Sequence, residues 1–388
     1  MCGKSEEIFL YYLILLIGIL FSLSKKLKNF LTMIFTIILI YFASIRYGVG
    51  NDYFGYFYLF KGYFSMPISE IAYNNLSREE IGFRFIASTI KYLGLDFQYL
   101  VILFSCLTVA CVYRIAKKYS VNPMTTMLVF YSLFYIVWVF SGMRQGFTIF
   151  SGLLLVLHCN KYNKHWSLFL GVFLLFLIHK SAILILPIYY LARLKIKINH
   201  LTIITLISIT LSILPISPVF FIIDKTSFSN RITNYNFSES IINLDFQSVV
   251  RIIFVILILV FYKRLIAQND NDIFVIHYYL YGMIIYFIFK DIELVAARLS
   301  LYSRAVEILL IPMVLKILKD YKYATTYGIL VLLYLFAYFS KDLYNMNNNV
   351  YYSNGNNFTM KYSNIYNYTN FQFKKSDFYQ NVDFEREE

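Results

Sequence analysis

Residues 8–24 read IFLYYLILLIGILFSLS, an apolar run without one charged side chain, and Lys25 and Lys26 follow it directly. A helix needs about 20 mostly apolar residues to cross the hydrocarbon core of a bilayer. A cleavable secretory signal carries its basic residues before the apolar run and small residues after it. Because the order here is reversed, we predict a retained first membrane-spanning helix.

The composition extends this prediction to the whole chain of 388 residues. Hydrophobic residues make up 59%, charged residues only 15%, and the mean hydropathy is +0.60. Soluble domains carry about 25% charged residues, so a water-soluble enzyme is excluded, and four cysteines are too few for a disulfide scaffold. We predict an all-α polytopic membrane protein of about 12 transmembrane helices. The predicted spans are 8–24, 30–45, 97–114, 123–141, 143–159, 166–178, 181–193, 201–222, 248–263, 273–290, 303–318 and 323–340, with a shorter helix at 82–93.

The sequence predicts one transmembrane domain over residues 1–341 and a polar tail rich in Asn and Tyr over 342–388. Basic residues concentrate in alternate short loops, which marks those loops as cytoplasmic. The longer segments 46–96, 223–247 and 291–302 are then predicted to face outside. The tail faces outside as well if the number of spans is even.

Several basic residues lie on the predicted outer face, against the usual bias of membrane proteins. Two explanations remain open for them. One is pairing with nearby carboxylates, and the other is binding of an anionic lipid, because arginine makes bidentate contacts with phosphate. The basic residues are Arg46, Arg84, Arg144, Lys180, Lys290, Arg298 and Arg304. The available carboxylates are Asp52, Glu79, Glu80, Asp291 and Glu293.

The most informative stretch follows the second predicted span, where residues 46–53 read RYGVGNDY and Tyr56 comes shortly after. Two glycines in three residues allow unusual backbone angles and close approach to a ligand. Aromatic side chains such as Tyr53 and Tyr56 pack against sugar rings and also anchor proteins at the membrane interface. The alternative is a glycine turn at a helix end, closed by a pair between Arg46 and Asp52.

Three further features lie at predicted outward ends of spans. Residues 141–145 read SGMRQ and form a short turn, for which the alternative is a helix start capped by Ser141. Residues 178–181 read IHKS between two half-length apolar runs, where a histidine can act as a base or simply bond the backbone. Arg304 and Glu307 are three residues apart and can pair on one helix face.

These features, together with Glu80-Ile81-Gly82-Phe83, are similar in order and spacing to the motifs of a known family. The chain resembles the EpsG-type members of the Wzy polysaccharide polymerases over about residues 8–340. The resemblance implies a glycosyltransferase that polymerises undecaprenyl-diphosphate-linked oligosaccharide repeats into O-antigen of lipopolysaccharide, capsule or exopolysaccharide. It also implies a GT-C-like architecture with an outward-facing cavity, in the bacterial inner membrane, with the active site facing the periplasm.

Under this function, we assign the chemistry to three groups of residues. Cationic side chains would stabilise the diphosphate leaving group without a metal: Arg46, Arg144, Arg298, Arg304 and Lys180. Candidates for the base that deprotonates the acceptor hydroxyl are Asp52, His179 and Glu80. Candidates for contacts with the glycan are Tyr53, Tyr56 and Gln145. No cofactor, metal or nucleic acid is expected, and the expected partners are the lipid-linked oligosaccharide, membrane lipid and a chain-length regulator protein.

Other functions remain open. A lipid-linked oligosaccharide flippase would share the substrate, and an O-antigen ligase or a membrane acyltransferase would share the membrane context. A metal-dependent reaction with a nucleotide sugar is a further alternative, because Asp270-Asn271-Asp272 has the Asp-x-Asp form. Loss of a polymerase leaves a glycan of one repeat at the cell surface, whereas loss of a flippase or ligase leaves none.

Overall fold

The computed structural model describes residues 3–24, 26–62, 79–194, 196–213, 246–267, 271–290, 293–321 and 324–347. Within these ranges the regular structure is helical, and no β-strand occurs. The all-α part of the predicted fold class is therefore confirmed for the described part of the chain. The predicted loop 223–247, apart from its last two residues, and the predicted tail beyond residue 347 lie outside it.

The first half of the chain forms helices that, apart from the third, follow the predicted runs. They are α1 Gly3–Leu23, α2 Lys28–Ser44, α3 Tyr53–Gly62, α4 Ile81–Tyr92, α5 Phe97–Tyr119, α6 Pro123–Phe130, α7 Met143–Tyr162 and α8 His165–Phe176. A π-helical segment, Tyr131–Ser141, continues α6 without a break. Asp96 caps α5 by accepting a hydrogen bond from the backbone N–H of Gln98 at 3.0 Å, and Pro123 occupies the first turn of α6.

The second half begins with a short 3₁₀ helix, Lys180–Leu184, that leads directly into the next α-helix. The remaining helices are α9 Ile185–Ala192, α10 Ile198–Ile213, α11 Phe246–Ile266, α12 Asn271–Ile288, α13 Glu293–Arg304, α14 Glu307–Leu318 and α15 Ala324–Asn347. The half-length run predicted at 181–193 is thus a 3₁₀ turn followed by a short α-helix.

In the part of the chain that the structure describes, three helical stretches are long and apolar enough to cross a membrane: Phe97–Tyr119, Pro123–Ser141 and Ala324–Met346. Six shorter apolar helices accompany them, at Phe9–Leu23, Lys28–Ser44, His165–Phe176, Lys180–Ala192, Ile198–Ile213 and Asp272–Ile288. These helices indicate a multi-pass membrane protein. The number of twelve spans and the GT-C-like arrangement stay predictions.

The prediction and the structure differ at three places. Residues 53–62, predicted as part of the outward segment 46–96, form α3. The segment 291–302 was expected as a loop, but α13 covers most of it. Its serines are compatible with a helix because their hydroxyls donate to carbonyls one turn back, as Ser300 does to Ala296 at 2.9 Å. Helix α15 also continues to Asn347, past the predicted domain boundary at residue 341.

The chain divides into two compact units. The first unit comprises residues 1–154, 174–180 and 322–388, and the second comprises residues 155–173 and 181–321. Each unit is described by itself below. The single transmembrane domain over 1–341 stays a prediction.

The core of the first unit is aromatic, and two of its tyrosines donate their hydroxyls to backbone carbonyls. The Tyr131 hydroxyl donates to the carbonyl of Tyr11 at 2.9 Å, and the Tyr135 hydroxyl donates to that of Leu39 at 2.5 Å. A buried phenol would otherwise lose its hydrogen bond to water, at a cost of roughly 1–3 kcal/mol. These bonds join α1 and α2 to the π-helical segment.

A second apolar cluster of the first unit lies where α3, α4 and α5 meet the start of α7. Its buried residues are Tyr53, Tyr56, Phe60, Phe83, Ala87, Ile90, Phe97, Leu100, Val101, Phe104 and Met143. This cluster fixes α3 and α4 beside Arg144, the neighbour of Met143 in the chain.

Helix α12 is central to the second unit, where it packs against α9, α10, α11 and α13. Its buried His277 shares a hydrogen bond of 2.9 Å with the hydroxyl of Tyr262 on α11. Ser248 on α11 is likewise hydrogen-bonded to Tyr286 on α12 at 2.9 Å. Two polar pairs therefore fix α11 against α12, one towards each end of the helices.

Candidate functional site

Arg46 directly follows α2 and is only 1% exposed. One of its terminal nitrogens, Nη1, donates to the carbonyl of Ala43 at 2.5 Å and to the hydroxyl of Ser105 at 2.9 Å. The other, Nη2, donates to the carbonyls of Val139 at 2.9 Å and Phe140 at 3.4 Å. The guanidinium therefore joins the end of α2 to α5 and to the last turn of the π-helical segment.

The glycine turn after Arg46 lies against the same last turn. Gly48 and Gly50 have φ angles of 70° and 115°, which L side chains rarely adopt. A Cβ atom on Gly50 would collide with the carbonyl oxygen of Phe140. Beyond the turn, the backbone N–H of Asn51 donates to the hydroxyl of Ser141 at 3.0 Å. Ser141 thus accepts from the motif, and the alternative in which it caps α7 is not the arrangement found.

The two tyrosines assigned to the glycan are both buried, Tyr53 to 2% and Tyr56 to 7% exposure. The ring of Tyr53 packs edge-on against Phe97 with centroids 5.2 Å apart, and Tyr56 packs against Phe83 at 5.7 Å. The hydroxyl of Tyr53 donates to the side chain of Gln98 at 3.4 Å. Their rings pack on protein here, so stacking on a sugar stays a prediction for both.

The hydroxyl of Tyr56 is neutral at physiological pH. Burial raises the pKa of this phenol above its ordinary value, the Arg144 charge lowers it in part, and the Asp52 carboxylate raises it further. A neutral phenol keeps its proton and still has lone pairs to accept a hydrogen bond. Tyr56 can therefore receive a bond from Arg144 while its own O–H points elsewhere.

Arg144 lies at the start of α7 and is held from two sides. Its Nη1 forms an ion pair with Oε2 of Glu80 at 2.7 Å, and its Nε donates to the hydroxyl of Tyr56 at 3.4 Å. The guanidinium carbon lies 4.8 Å from the ring centroid of Phe83 and 5.2 Å from that of Tyr56. A guanidinium has five N–H groups, and the others contact no acceptor among the described residues.

Glu80 uses both carboxylate oxygens, because its Oε1 accepts a hydrogen bond from the backbone N–H of Lys180 at 3.1 Å. The same two segments meet again two residues later, where the N–H of Gly82 donates to the carbonyl of Leu177 at 2.7 Å. A Cβ atom on Gly82 would lie 2.7 Å from that carbonyl oxygen, so glycine permits this contact. The start of α4 is thereby joined to residues 177–180.

The remaining candidates in the first unit differ in exposure. Asp52 and Lys180 are exposed, whereas His179 is half-buried and donates from its backbone N–H to the carbonyl of Leu175 at 2.9 Å. Gln145, next to Arg144, has a buried side-chain nitrogen that donates to no acceptor among the described residues.

Two predicted arginines belong to the second unit. Arg304 is buried, and its Nε pairs with Oε1 of Glu307 at 3.3 Å, as the spacing of three residues predicted. Arg298 is exposed on α13. Nearby in the chain, the hydroxyls of Tyr302 and Ser181 are 3.0 Å apart. The diphosphate-binding roles of Arg298 and Arg304 stay predictions.

The structure thus brings together four separate stretches of the first unit: residues 46–56, 80–83, 139–145 and 177–180. Sequence reasoning missed Phe83 as a platform for Arg144 and Gly82 as the point of close approach. The Glu-x-Gly-Phe pattern contained both residues, but only the contacts reveal their parts. No group of three or more His, Cys, Asp or Glu that could hold a metal occurs in the described ranges, and Asp270 lies outside them.

A family model described as the EpsG family matches residues 28–364. Neither the comparison with curated proteins nor that with solved structures gave a match. The matched range includes all four stretches that meet around Arg144, and it covers well over half of the chain. The chain therefore belongs to the EpsG family, a family of Wzy-type polymerase-like proteins.

Proposed function

We propose that this protein is a glycosyltransferase that polymerises polyprenyl-diphosphate-linked oligosaccharide repeats. The growing chain is the donor, attached through its reducing-end sugar to a lipid diphosphate. A single repeat on a second lipid carrier is the acceptor. The new glycosidic bond forms between the donor sugar and an acceptor hydroxyl, and the lipid diphosphate of the donor leaves with the electrons of the broken bond.

The observation that carries this proposal is the meeting of four distant stretches around Arg144. The carboxylate of Glu80 contacts Arg144 at 2.7 Å and the backbone of Lys180 at 3.1 Å. Tyr56 brings the glycine-containing motif to the same guanidinium. An arginine held by acceptors and aromatic rings is fixed before substrate binds, which is what stabilisation of developing charge requires.

In this proposal, Arg144 binds the diphosphate of the donor through the N–H groups that no described residue occupies. Two aromatic rings shield the guanidinium, and a shielded charge interacts more strongly with an anion than one in bulk water. Lys180 is exposed and adds a second positive charge, on the residue whose backbone N–H donates to Glu80. Arg46 has a structural role in this site, because its guanidinium donates hydrogen bonds to backbone carbonyls and to Ser105.

The candidates for the base differ in what their side chains already contact. Both oxygens of Glu80 accept hydrogen bonds, which makes this carboxylate a positioning residue rather than a base. Asp52 is exposed and its charge acts on Tyr56, so it is the first choice, with His179 second. The free amide nitrogen of Gln145 is suited to orient a sugar hydroxyl.

The wider proposal includes about twelve spans, a GT-C-like architecture and an active site on the periplasmic face of the bacterial inner membrane. The product is O-antigen or a similar polysaccharide, and a chain-length regulator is a proposed partner. The apolar helices and the family support the membrane context, and the placement of basic residues supports the orientation.

The test is reconstitution of the purified protein in vesicles that contain lipid A and a purified lipid-linked repeat, with no nucleotide sugar. We expect a ladder of products that differ by one repeat. Transport of the lipid-linked repeat without a ladder would replace the proposal with the flippase, and transfer to lipid A without a ladder would replace it with the ligase. A ladder that requires added nucleotide sugar and metal would favour the alternative at Asp270-Asn271-Asp272.

A further inference from the structure

Arg251 on α11 is a buried arginine of the second unit that the proposed site does not use. It is the one charged residue in the apolar stretch 246–262 and is only 6% exposed. Charged side chains are rare in membrane-spanning helices, because the hydrocarbon region does not solvate them. Such a residue is normally retained for a binding or transport role.

Two contacts hold the guanidinium of Arg251, one on the face of its plane and one at its terminal nitrogen Nη2. Its carbon lies 4.0 Å from the ring centroid of Tyr286, and its Nη2 donates to the side chain of Gln247 at 3.1 Å. The hydroxyl of Tyr286 is fixed in turn by Ser248 at 2.9 Å. Tyr286 is therefore a rigid platform on which the guanidinium lies.

The opposite edge of the guanidinium contacts no acceptor in the described residues. Nε and Nη1 of Arg251 donate to none of them, and no carboxylate of these residues lies within 4.0 Å. Nε and one terminal nitrogen form the edge with which arginine binds phosphate in a bidentate manner. The stacked ring orients this edge without consuming any of its hydrogen bonds.

In the predicted topology, with a span at 248–263, Arg251 lies near the outer end of that span. Side chains on a helix lean towards its N-terminus, and the bond to Gln247 brings the guanidinium one turn back to the first turn of α11. The backbone N–H groups of that turn have no partner within the helix and carry partial positive charge. In the predicted orientation this end of α11 faces outside.

We propose that Arg251, on the platform of Tyr286, binds the diphosphate of a second polyprenyl-diphosphate substrate. This inference rests on the proposed function, in which two lipid-linked substrates react in each cycle. Arg144 in the first unit then binds one prenyl diphosphate and Arg251 in the second unit binds the other. Any phosphate-bearing lipid head group has the same recognition chemistry, and the experiment includes phosphatidylglycerol for that reason.

The experiment measures the number of farnesyl diphosphate molecules bound per chain by native mass spectrometry of the purified full-length protein. We expect two in the wild type, one in Arg251→Ala and one in Arg144→Ala. Arg264→Ala is the matched control, because Arg264 lies on the same helix and also contacts a tyrosine ring, at 4.9 Å from Tyr321, but is exposed. It should retain both ligands.

Arg251→Lys keeps the charge but loses the planar fork, and we expect it to melt like the wild type and to lose at least about tenfold in affinity for one ligand. If this variant keeps both ligands at wild-type affinity, the inference is wrong, even if Arg251→Ala does not fold. Loss of the second ligand on addition of phosphatidylglycerol would also overturn it, in favour of an ordinary membrane lipid.

The outcomes for the two sites are distinguishable. One ligand in the wild type that only Arg144→Ala removes would overturn the role of Arg251 and leave the proposed function intact. One ligand that only Arg251→Ala removes would support the site at Arg251 and contradict the diphosphate role of Arg144.

Discussion

Arg46 and Arg144 belong to the same unit, and the sequence predicts both as outward arginines within a motif. Their surroundings in the structure differ. Arg46 is 1% exposed, and its terminal nitrogens donate to three carbonyls and one hydroxyl. The side chain of Arg144 is 17% exposed and donates to a carboxylate and a phenol. The guanidinium of Arg46 is hydrogen-bonded within the fold, whereas that of Arg144 keeps an accessible edge.

A buried arginine can therefore stabilise the fold or bind a ligand, according to which of its N–H groups are already hydrogen-bonded. A guanidinium saturated by backbone carbonyls has little left for a ligand. A guanidinium held along one side by a carboxylate and between aromatic rings is oriented and still available. Substitutions of the two regions should therefore affect stability in one case and catalysis in the other.

The largest effect on stability is expected for Arg46→Ala. Its removal leaves buried carbonyls of Ala43 and Val139 without a donor, and each such group costs roughly 1–3 kcal/mol. We expect a loss of at least about 3 kcal/mol and a fall in melting temperature of roughly 5 °C or more, measured in detergent. Arg114→Ala, at an exposed arginine on α5, is the control and should melt like the wild type. An Arg46→Ala protein with the melting temperature of the wild type would contradict the structural role of Arg46.

Gly50→Ala should weaken the connection between the two regions. The added Cβ atom would collide with the carbonyl of Phe140, and the φ angle of 115° is itself unfavourable for alanine. We expect the melting temperature and the rate of polymerisation to fall together. Gly94→Ala is the matched control, since its φ angle of 72° is also positive but nothing lies within 4 Å of its Cβ. Equal effects of both substitutions would show that strain alone matters and that the contact with Phe140 does not.

Glu80→Gln tests whether this residue positions Arg144 or acts as the base. The amide retains an acceptor for the N–H of Lys180 but loses the charge that holds Arg144. As a positioning residue it should lower the rate of ladder formation roughly tenfold, with the pH dependence of the rate unchanged. A much larger fall in rate, with the residual rate no longer showing the acidic limb of the pH profile, would instead assign Glu80 as the base.

The smallest effect is expected for Ser141→Ala, which removes the acceptor of the Asn51 N–H. A single neutral hydrogen bond contributes about 1 kcal/mol, so the melting temperature should fall by roughly 2–4 °C. Polymerisation should remain near the wild-type rate. Thr89→Ala removes a hydroxyl that bonds only within its own helix, to Phe85 at 2.8 Å, and should change less. A smaller shift for Ser141→Ala than for Thr89→Ala would contradict the proposed link.

The sequence predicted the parts of this molecule that depend on neighbours in the chain. Continuous apolar runs gave the helices, because burial of the backbone in a bilayer requires helical hydrogen bonding. The pair of Arg304 and Glu307 followed from their spacing of three residues on one face. The helix at residues 293–304 was missed because its composition is polar for a membrane segment.

Contacts between distant residues were beyond the sequence. Glu80 and Arg144 are separated by 64 residues, and nothing in either local pattern identifies the other as its partner. The same holds for Arg46 and the carbonyl of Val139, 93 residues away. The sequence identified both Arg46 and Arg144 as candidates, but it could not show which of them is structural and which binds the ligand.

The most direct test compares Arg144→Ala and Arg144→Lys with the wild type in the reconstituted assay, and records the initial rate of ladder formation and the melting temperature of each protein. We predict that Arg144→Ala lowers the rate at least about 100-fold and that Arg144→Lys recovers only a part of it. Both variants should melt within a few degrees of the wild type. A well-folded Arg144→Ala protein that builds the ladder at the wild-type rate would contradict the role of this arginine in binding the diphosphate.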